Sequence, residues 1–266
     1  MPAPVLNDEA GSAHLQLLLE YQKALYSADD ALEFRTKLLN IFASNSATTW
    51  IEAKQIEERF KKVQIENITS KPPTMVGVDL SVRDDFSTVT YNLYSIDSKS
   101  FHSYTDYYFP EGALEKHPNC ELYKGWVKAG YLKLCKGDII DYQQIVDDIL
   151  KKANNLCIMG IGYDPYKSAE FVNLLSSSVG GEADIINPVK QTYGTFTSPV
   201  ESFEIAVYSN KISFDPNPIT PYCFANAVLD EDRNCNKKPI KKTHNAKIDS
   251  TITNLMTFHL FNNLTS

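Results

Sequence analysis

The 266-residue chain lacks most of the features that announce a common enzyme class. No Gly-x-x-x-x-Gly-Lys-[Ser/Thr] occurs, so the sequence has no phosphate-cradling loop of the P-loop kind. Ser81 and the Ser176-Ser177-Ser178 run stand outside any Gly-x-Ser-x-Gly elbow, which disfavours a serine hydrolase. The five cysteines, Cys120, Cys135, Cys157, Cys223 and Cys235, are odd in number and scattered, with no Cys-x-x-Cys pair. That excludes a disulfide framework and a zinc site of the usual spacing, and Cys157, inside an apolar run, reads as a small buried hydrophobe. His14, His102, His117 and His259 fall in different segments at no ligand spacing. No run of 18 apolar residues is present to form a membrane helix. The first twenty residues do not show a charged-then-apolar leader, so a reducing cytosol is the expected compartment. Repeats and low-complexity blocks are also missing.

What is present is core-forming material. Hydrophobic residues make up 43% of the chain, with 15 tyrosines and 13 phenylalanines able to bury large areas. The formal net charge of -7 argues mildly against a nucleic-acid partner, although the distribution of charge matters more than its sum.

Hydrophobic spacing predicts a helical front and an α/β remainder. Residues 13–26 and 30–44 repeat apolar positions at helical spacing, and a third amphipathic piece covers about 50–63. The stretch 67–74, with Pro72 and Pro73, reads as a boundary, dividing a helical segment 1–70 from a body 71–266. After it, 75–81, 86–96 and 101–109 read as three antiparallel strands, the last two joined by a turn at 96–99. Helices are expected over 121–130 and 141–153, a buried parallel strand over 156–163, a helix over 166–178 and a closing helix from about 249 to 262. The stretch between the last two reads as less regular. A meander of three strands followed by a helix-linked parallel strand is the ribonuclease H-like topology, a mixed sheet flanked by helices.

Three aspartates stand out by position. Asp79 ends the first strand, Asp164 ends the helix-connected strand, and Asp249 opens the last helix. If the strands at 75–79 and 156–163 pair in parallel, Asp79 and Asp164 leave the same sheet edge, where α/β proteins place their reactive groups. Carboxylates gathered there repel one another unless a hard divalent cation with oxygen ligands, such as Mg²⁺ or Mn²⁺, compensates. One or two such ions would support phosphodiester hydrolysis. Simpler readings stay open: a strand end facing water for Asp79, a cap before Pro165 for Asp164, a macrodipole preference for Asp249. From 233 to 247 there are six basic residues and no acidic one: Arg233, Lys237, Lys238, Lys241, Lys242 and Lys247. Such a run, leading into Asp249, would hold phosphates near the acids, or would be a solvated loop. Tyr163 and Tyr166, on either side of Asp164, read most simply as packing residues.

Four segments in order, GVDLSVRDDFST (77–88), GDIIDYQQI (137–145), GYDPYKSAEFVNLL (162–175) and KKTHNAKIDSTITNLMTFHL (241–260), resemble the nuclease domain of the large subunit of tailed-bacteriophage DNA-packaging terminases. Residues 33–51 resemble that family's connection from ATPase to nuclease. The resemblance implies a ribonuclease H-like fold and metal-dependent endonucleolytic cutting of concatemeric double-stranded DNA in the host cytoplasm. It makes Asp79, Asp164 and Asp249 the acidic metal-binding triad, with Asp84 and Asp85 as supporting residues; His244, five residues before Asp249, reads either as a further supporting residue or, more simply, as a satisfied or exposed loop histidine. It also implies an ATPase domain, a portal and a small terminase subunit as partners. Without a P-loop the chain is expected to be an excised piece or a split gene product. Two competing readings are a non-catalytic docking module and a junction resolvase or transposase-type nuclease on the same fold.

Overall fold

The structure, a computed structural model, describes residues 49–265. The helices expected at 13–26 and 30–44 lie outside that range. Among the described residues the chain forms helix α1 (Ala53–Glu57), strands β1 (Pro73–Asp79), β2 (Ser87–Ser95) and β3 (Ser100–Pro110), and helices α2 (Glu111–Leu114) and α3 (Cys120–Lys128). Strand β4 (Lys133–Cys135), helix α4 (Tyr142–Ala153), strand β5 (Cys157–Tyr163) and helix α5 (Ala169–Val179) follow. The remainder is strand β6 (Ile186–Pro188), helix α6 (Tyr193–Tyr208), strand β7 (Ile212–Phe214), helix α7 (Ile219–Ala225), strands β8 (Ala227–Glu231) and β9 (Lys237–Lys241), and helix α8 (Asp249–Thr265).

The main sheet runs β4-β3-β2-β1-β5-β6, with β7 beside β3, and β8-β9 is a separate hairpin. The three meander strands are antiparallel, and β5 joins β1 in parallel, as the hydrophobic pattern predicts. The amphipathic piece expected over 50–63 is shorter. Only Ala53–Glu57 is helical, while Trp50, Ile51 and Ile56 enter the core as an irregular strap. The stretch expected to be less regular holds α6, α7 and the hairpin. Strand β5 is buried only in its second half. Its first residue, Cys157, is exposed and not a core residue, because the strand begins beyond the cover of the helices.

Side-chain alternation splits β1 between two cores. Val76 and Val78 join Val89, Tyr91, Ile145 and Phe171 under α4 and α5. Met75 faces the opposite core, with Phe203, Leu255 and Met256 of α6 and α8. Gly77 is on the α8 side, and a Cβ there would lie 2.2 Å from the Thr253 carbonyl oxygen. Next to it, Gly160 and Gly162 of β5 face Leu260. The glycines allow the helix axis to settle directly on the sheet.

Short polar side chains complete the seat. Thr90 meets both Thr105 (2.9 Å) and Thr253 (2.6 Å), Asn92 donates to Thr257 (2.9 Å), and Ser103 donates to Asn254 (2.7 Å). All these groups are buried. A buried polar group without a partner costs about 1–3 kcal/mol, so this ladder allows one register of α8 on the sheet. The outer side of α8 is covered by α6, where Asn262 donates to Ser198 and Ser202 at 3.1 Å. That is why the helix is buried almost all round, although its sequence shows one apolar stripe.

Gly77→Ala should push α8 off the sheet and cost about 3 kcal/mol or more. Gly125→Ala, in α3 with nothing within 4 Å of the added Cβ, should be neutral or gain up to about 1 kcal/mol. Urea unfolding of both variants checks the contrast.

Candidate metal centre

The parity that seats α8 also aims the three aspartates. Residues 75, 77 and 79 share one face of β1, and 160, 162 and 164 continue one face of β5. Val78 pairs with Tyr163 in the parallel register, so Asp79 and Asp164 leave adjacent strands side by side on the α8 face. Asp249 is the first residue of α8, four residues before the Thr253 that rests on Gly77, and it is buried. The three acids therefore come to one edge of the sheet.

Asp79 links the group electrostatically. Burial, then the charges of Asp164 and Asp85, raise its pKa from the ordinary 3.8 to about 7. Burial, then Asp85 and Asp79, push Asp249 well above its ordinary value. The Oδ2 atom of Asp249 is buried and has no hydrogen-bond partner. Asp164 is held by its own turn, with Oδ1 accepting from the Tyr166 amide at 2.9 Å. The cap of the following helix is Ser168, so Asp164 is not the capping residue that its place before Pro165 allows. Tyr166 is 72% exposed and not a packing residue, whereas Tyr163 is half-buried against the α4/α5 core.

Among the described residues, no three His, Cys, Asp or Glu side chains converge closely enough to enclose a metal ion. The fit to a divalent cation rests on donor chemistry. The donors are carboxylate oxygens that repel one another, and one of them is buried without a partner.

Asp84 and Asp85 take different positions. The Asp84 side chain is exposed beside Arg83, and only its backbone carbonyl reaches inward, accepting from Lys247 at 3.0 Å. Asp85 faces the acids. Its Oδ1 lies 2.8 Å from Lys247 and accepts from the Phe86 amide at 3.0 Å, and its Oδ2 lies 3.0 Å from Lys241. Burial works against the Asp85 charge, but Lys247 and then Lys241 outweigh it, and its pKa falls. Phe86 anchors this loop in an aromatic box, 5.0 Å from the Tyr123 ring and 6.1 Å from Tyr107 and Phe109. Ser81 and Tyr142 brace the loop from the other side. His244 is exposed in the turn before α8.

The six basic residues do not form one solvated track. Arg233 is exposed in the turn between β8 and β9. Lys237, Lys238 and Lys242 are half-buried, with the Lys238 ammonium 4.5 Å from the centre of the Tyr193 ring. Lys241 and Lys247 turn inward to Asp85, and Lys247 is buried. Their inward role carries no spacing signal. A pocket of about 210 Å³ opens at the far end of α8, lined by Met75, Met159, His259 and Leu264, away from the acids.

A mixed sheet flanked by helices, with a three-strand meander and a parallel strand joined beside its first strand, is the ribonuclease H-like fold. A family model described as terminase large subunit, endonuclease domain, matches residues 5–263, and the chain belongs to that family. Protein YmfN of Escherichia coli (strain K12) is 27% identical over 256 residues, covering 90% of this chain and 54% of that protein. The crystal structure of the HK97 bacteriophage large terminase superposes with a TM-score of 0.70 at 20% identity, covering 91% of this chain and 49% of that one. The large terminase nuclease from thermophilic phage G20c with bound magnesium superposes at 0.50 and 6% identity, covering 79% and 96%. The chain thus spans about half the length of YmfN and of the HK97 protein. The fold is the one these two solved structures share. No helix among the described residues is long and apolar enough to cross a membrane.

The raised Asp79 pKa has a definite consequence for stability. Its folded value of about 7 exceeds the unfolded 3.8, so its stabilising contribution is complete below about pH 4 and lost as the pH rises through 7. Metal-free protein should lose roughly 2–4 kcal/mol across that window through Asp79, and Asp79→Asn should remove that share while the share of Asp249, which is also raised, remains. Thermal melts in EDTA between pH 5 and 8, taken as ~one-unit steps, check both.

Proposed function

We propose that this chain is the endonuclease of a viral DNA-packaging motor, cutting concatemeric double-stranded DNA by hydrolysis with a divalent metal held by Asp79, Asp164 and Asp249. Membership of the terminase endonuclease family supports the reaction class. The observation that carries the site is the placement of the three acids on one face at one sheet edge, with a buried Asp249 oxygen lacking a partner. The phage G20c nuclease, of the same fold, has been solved with magnesium bound. Mg²⁺ or Mn²⁺ is the fitting ion, because the donors are hard carboxylate oxygens.

A divalent ion supplies Lewis acidity, making water a better nucleophile and offsetting charge on phosphate oxygens. The chain's own residues do the rest. Asp79 and Asp164 are fixed by the parallel register, and Asp249 by the polar ladder under α8. Lys247 ties the loop carrying Asp85 to the approach of α8. Hydrolysis adds water across one P–O bond, leaving a phosphate on one end and a hydroxyl on the other. Sequence preference is low, since nothing in the chain resembles a base-reading module. Arg233, Lys237 and Lys238 are the basic residues of this run proposed to meet the DNA backbone. Residues 1–70 serve as the connection towards an ATPase domain, and the portal and the small terminase subunit complete the motor in the host cytoplasm.

Plasmid nicking should appear with Mn²⁺ or Mg²⁺ and vanish with EDTA. Each of Asp79→Asn, Asp164→Asn and Asp249→Asn should reduce it on the order of 100-fold or more with the fold intact by circular dichroism. Wild-type cutting by any of them would remove that residue from the site. Absence of cutting with every metal would favour the docking module, and preference for branched over linear duplex would favour a resolvase.

A further inference from the structure

We propose that Tyr166 is a stacking platform for an unpaired base beside the cut, so that the site engages a DNA strand where the duplex is locally open. The inference rests on the nuclease reading above and specifies the form of DNA that the site takes.

Tyr166 is 72% exposed, more than any other large apolar or aromatic side chain among the described residues. It stands at the acid edge of the sheet, where its amide donates to Asp164 Oδ1 at 2.9 Å. The turn that presents it is fixed on both sides. Pro165 restricts the backbone before it. Lys167 after it adopts a left-handed φ of 55°, which a non-glycine residue takes only at a cost in free energy. Ser168, which closes the turn and leads into α5, is buried. These anchors are backbone groups and neighbouring residues, so the aromatic ring is held out in solvent without serving the core.

The two faces of that ring are not equivalent. The Lys167 ammonium lies over one face, 5.1 Å from the ring centre. The other is left for a flat partner arriving from solvent. In a paired duplex the faces of the bases are covered by their neighbours, and a protein meets only base edges and the backbone. An unstacked base offers a free face, and every base has one, so stacking on an aromatic side chain tolerates any sequence. The charges alongside suit a nucleic-acid strand. Lys167 is exposed, and so is Lys190, next to the Val189 amide that donates to the Tyr163 carbonyl at 2.8 Å. These ammonium groups flank the end of β5 and can meet the phosphates on either side of the stacked base.

Fluorescence anisotropy of the full 266-residue chain in EDTA, which reads binding apart from cutting, tests this with two labelled linear duplexes, one fully paired and one with a short unpaired bubble. Wild type should bind the bubble about tenfold more tightly. Tyr166→Ala should bring the bubble down to the level of the paired duplex. Tyr166→Phe, which keeps the ring, should retain the preference. Tyr208→Ala, which removes another exposed tyrosine at the end of α6, should leave the preference unchanged, and thermal melts should show all three variants folded. No preference in wild type, a preference that survives Tyr166→Ala, or its loss in Tyr166→Phe would overturn the inference, while metal-dependent plasmid nicking would keep the nuclease reading in place. Binding to neither duplex, together with no nicking under any metal, would overturn both.

Discussion

The contact on which the rest depends is the seat of the last helix on the sheet, where the Thr253 carbonyl occupies the space a side chain at position 77 would need. Helices ordinarily pack about 10 Å above a sheet because side chains stand between them. Here glycines on β1 and β5 and short polar groups on β2 and β3 remove that spacer. The polar ladder then sets the register, because each buried hydroxyl or amide finds its partner in one position only. Asp249 is at the end of this ruler. A shift of one helical turn would carry it about 5 Å from the sheet edge that holds Asp79 and Asp164.

The second constraint is electrostatic. Folding brings like charges into a buried corner, and the corner is tolerable because part of the charge is compensated internally. The Lys247–Asp85–Lys241 group is an ion-pair chain at the boundary between core and solvent, anchored by Phe86 in its aromatic box. It offsets one carboxylate fully and leaves the other three in deficit. Burying carboxylates of like charge costs free energy that packing elsewhere in the fold must offset. The cores on either face of the sheet provide that packing.

Much of this was legible in the residues. Alternation in 75–79, the apolar run at 156–163 and the helical spacing between them are enough to propose the parallel pair and so to bring Asp79 beside Asp164. The end of β1 at Asp79 and the start of α8 at Asp249 agree with the pattern. Other parts were hidden for physical reasons. Strands β6 and β7 are three residues long, too short for alternation to register. Helix α6 carries Pro199 in its interior, which reads as a break. Strand β9 is mostly lysine with a proline, the composition of an edge strand, and reads as a loop. Lys247 was unreadable in a different way: a lysine in a basic run looks solvated, and only the fold shows its ammonium buried against Asp85.

The nuclease reading requires that Asp79, Asp164 and Asp249 share a cation. Anomalous scattering from a Mn²⁺-soaked crystal tests this most directly. A shared cation gives a peak within about 2.5 Å of carboxylate oxygens from Asp79 and Asp249, with Asp164 alongside. Well-occupied Mn²⁺ bound elsewhere, with no peak at Asp79, would contradict it.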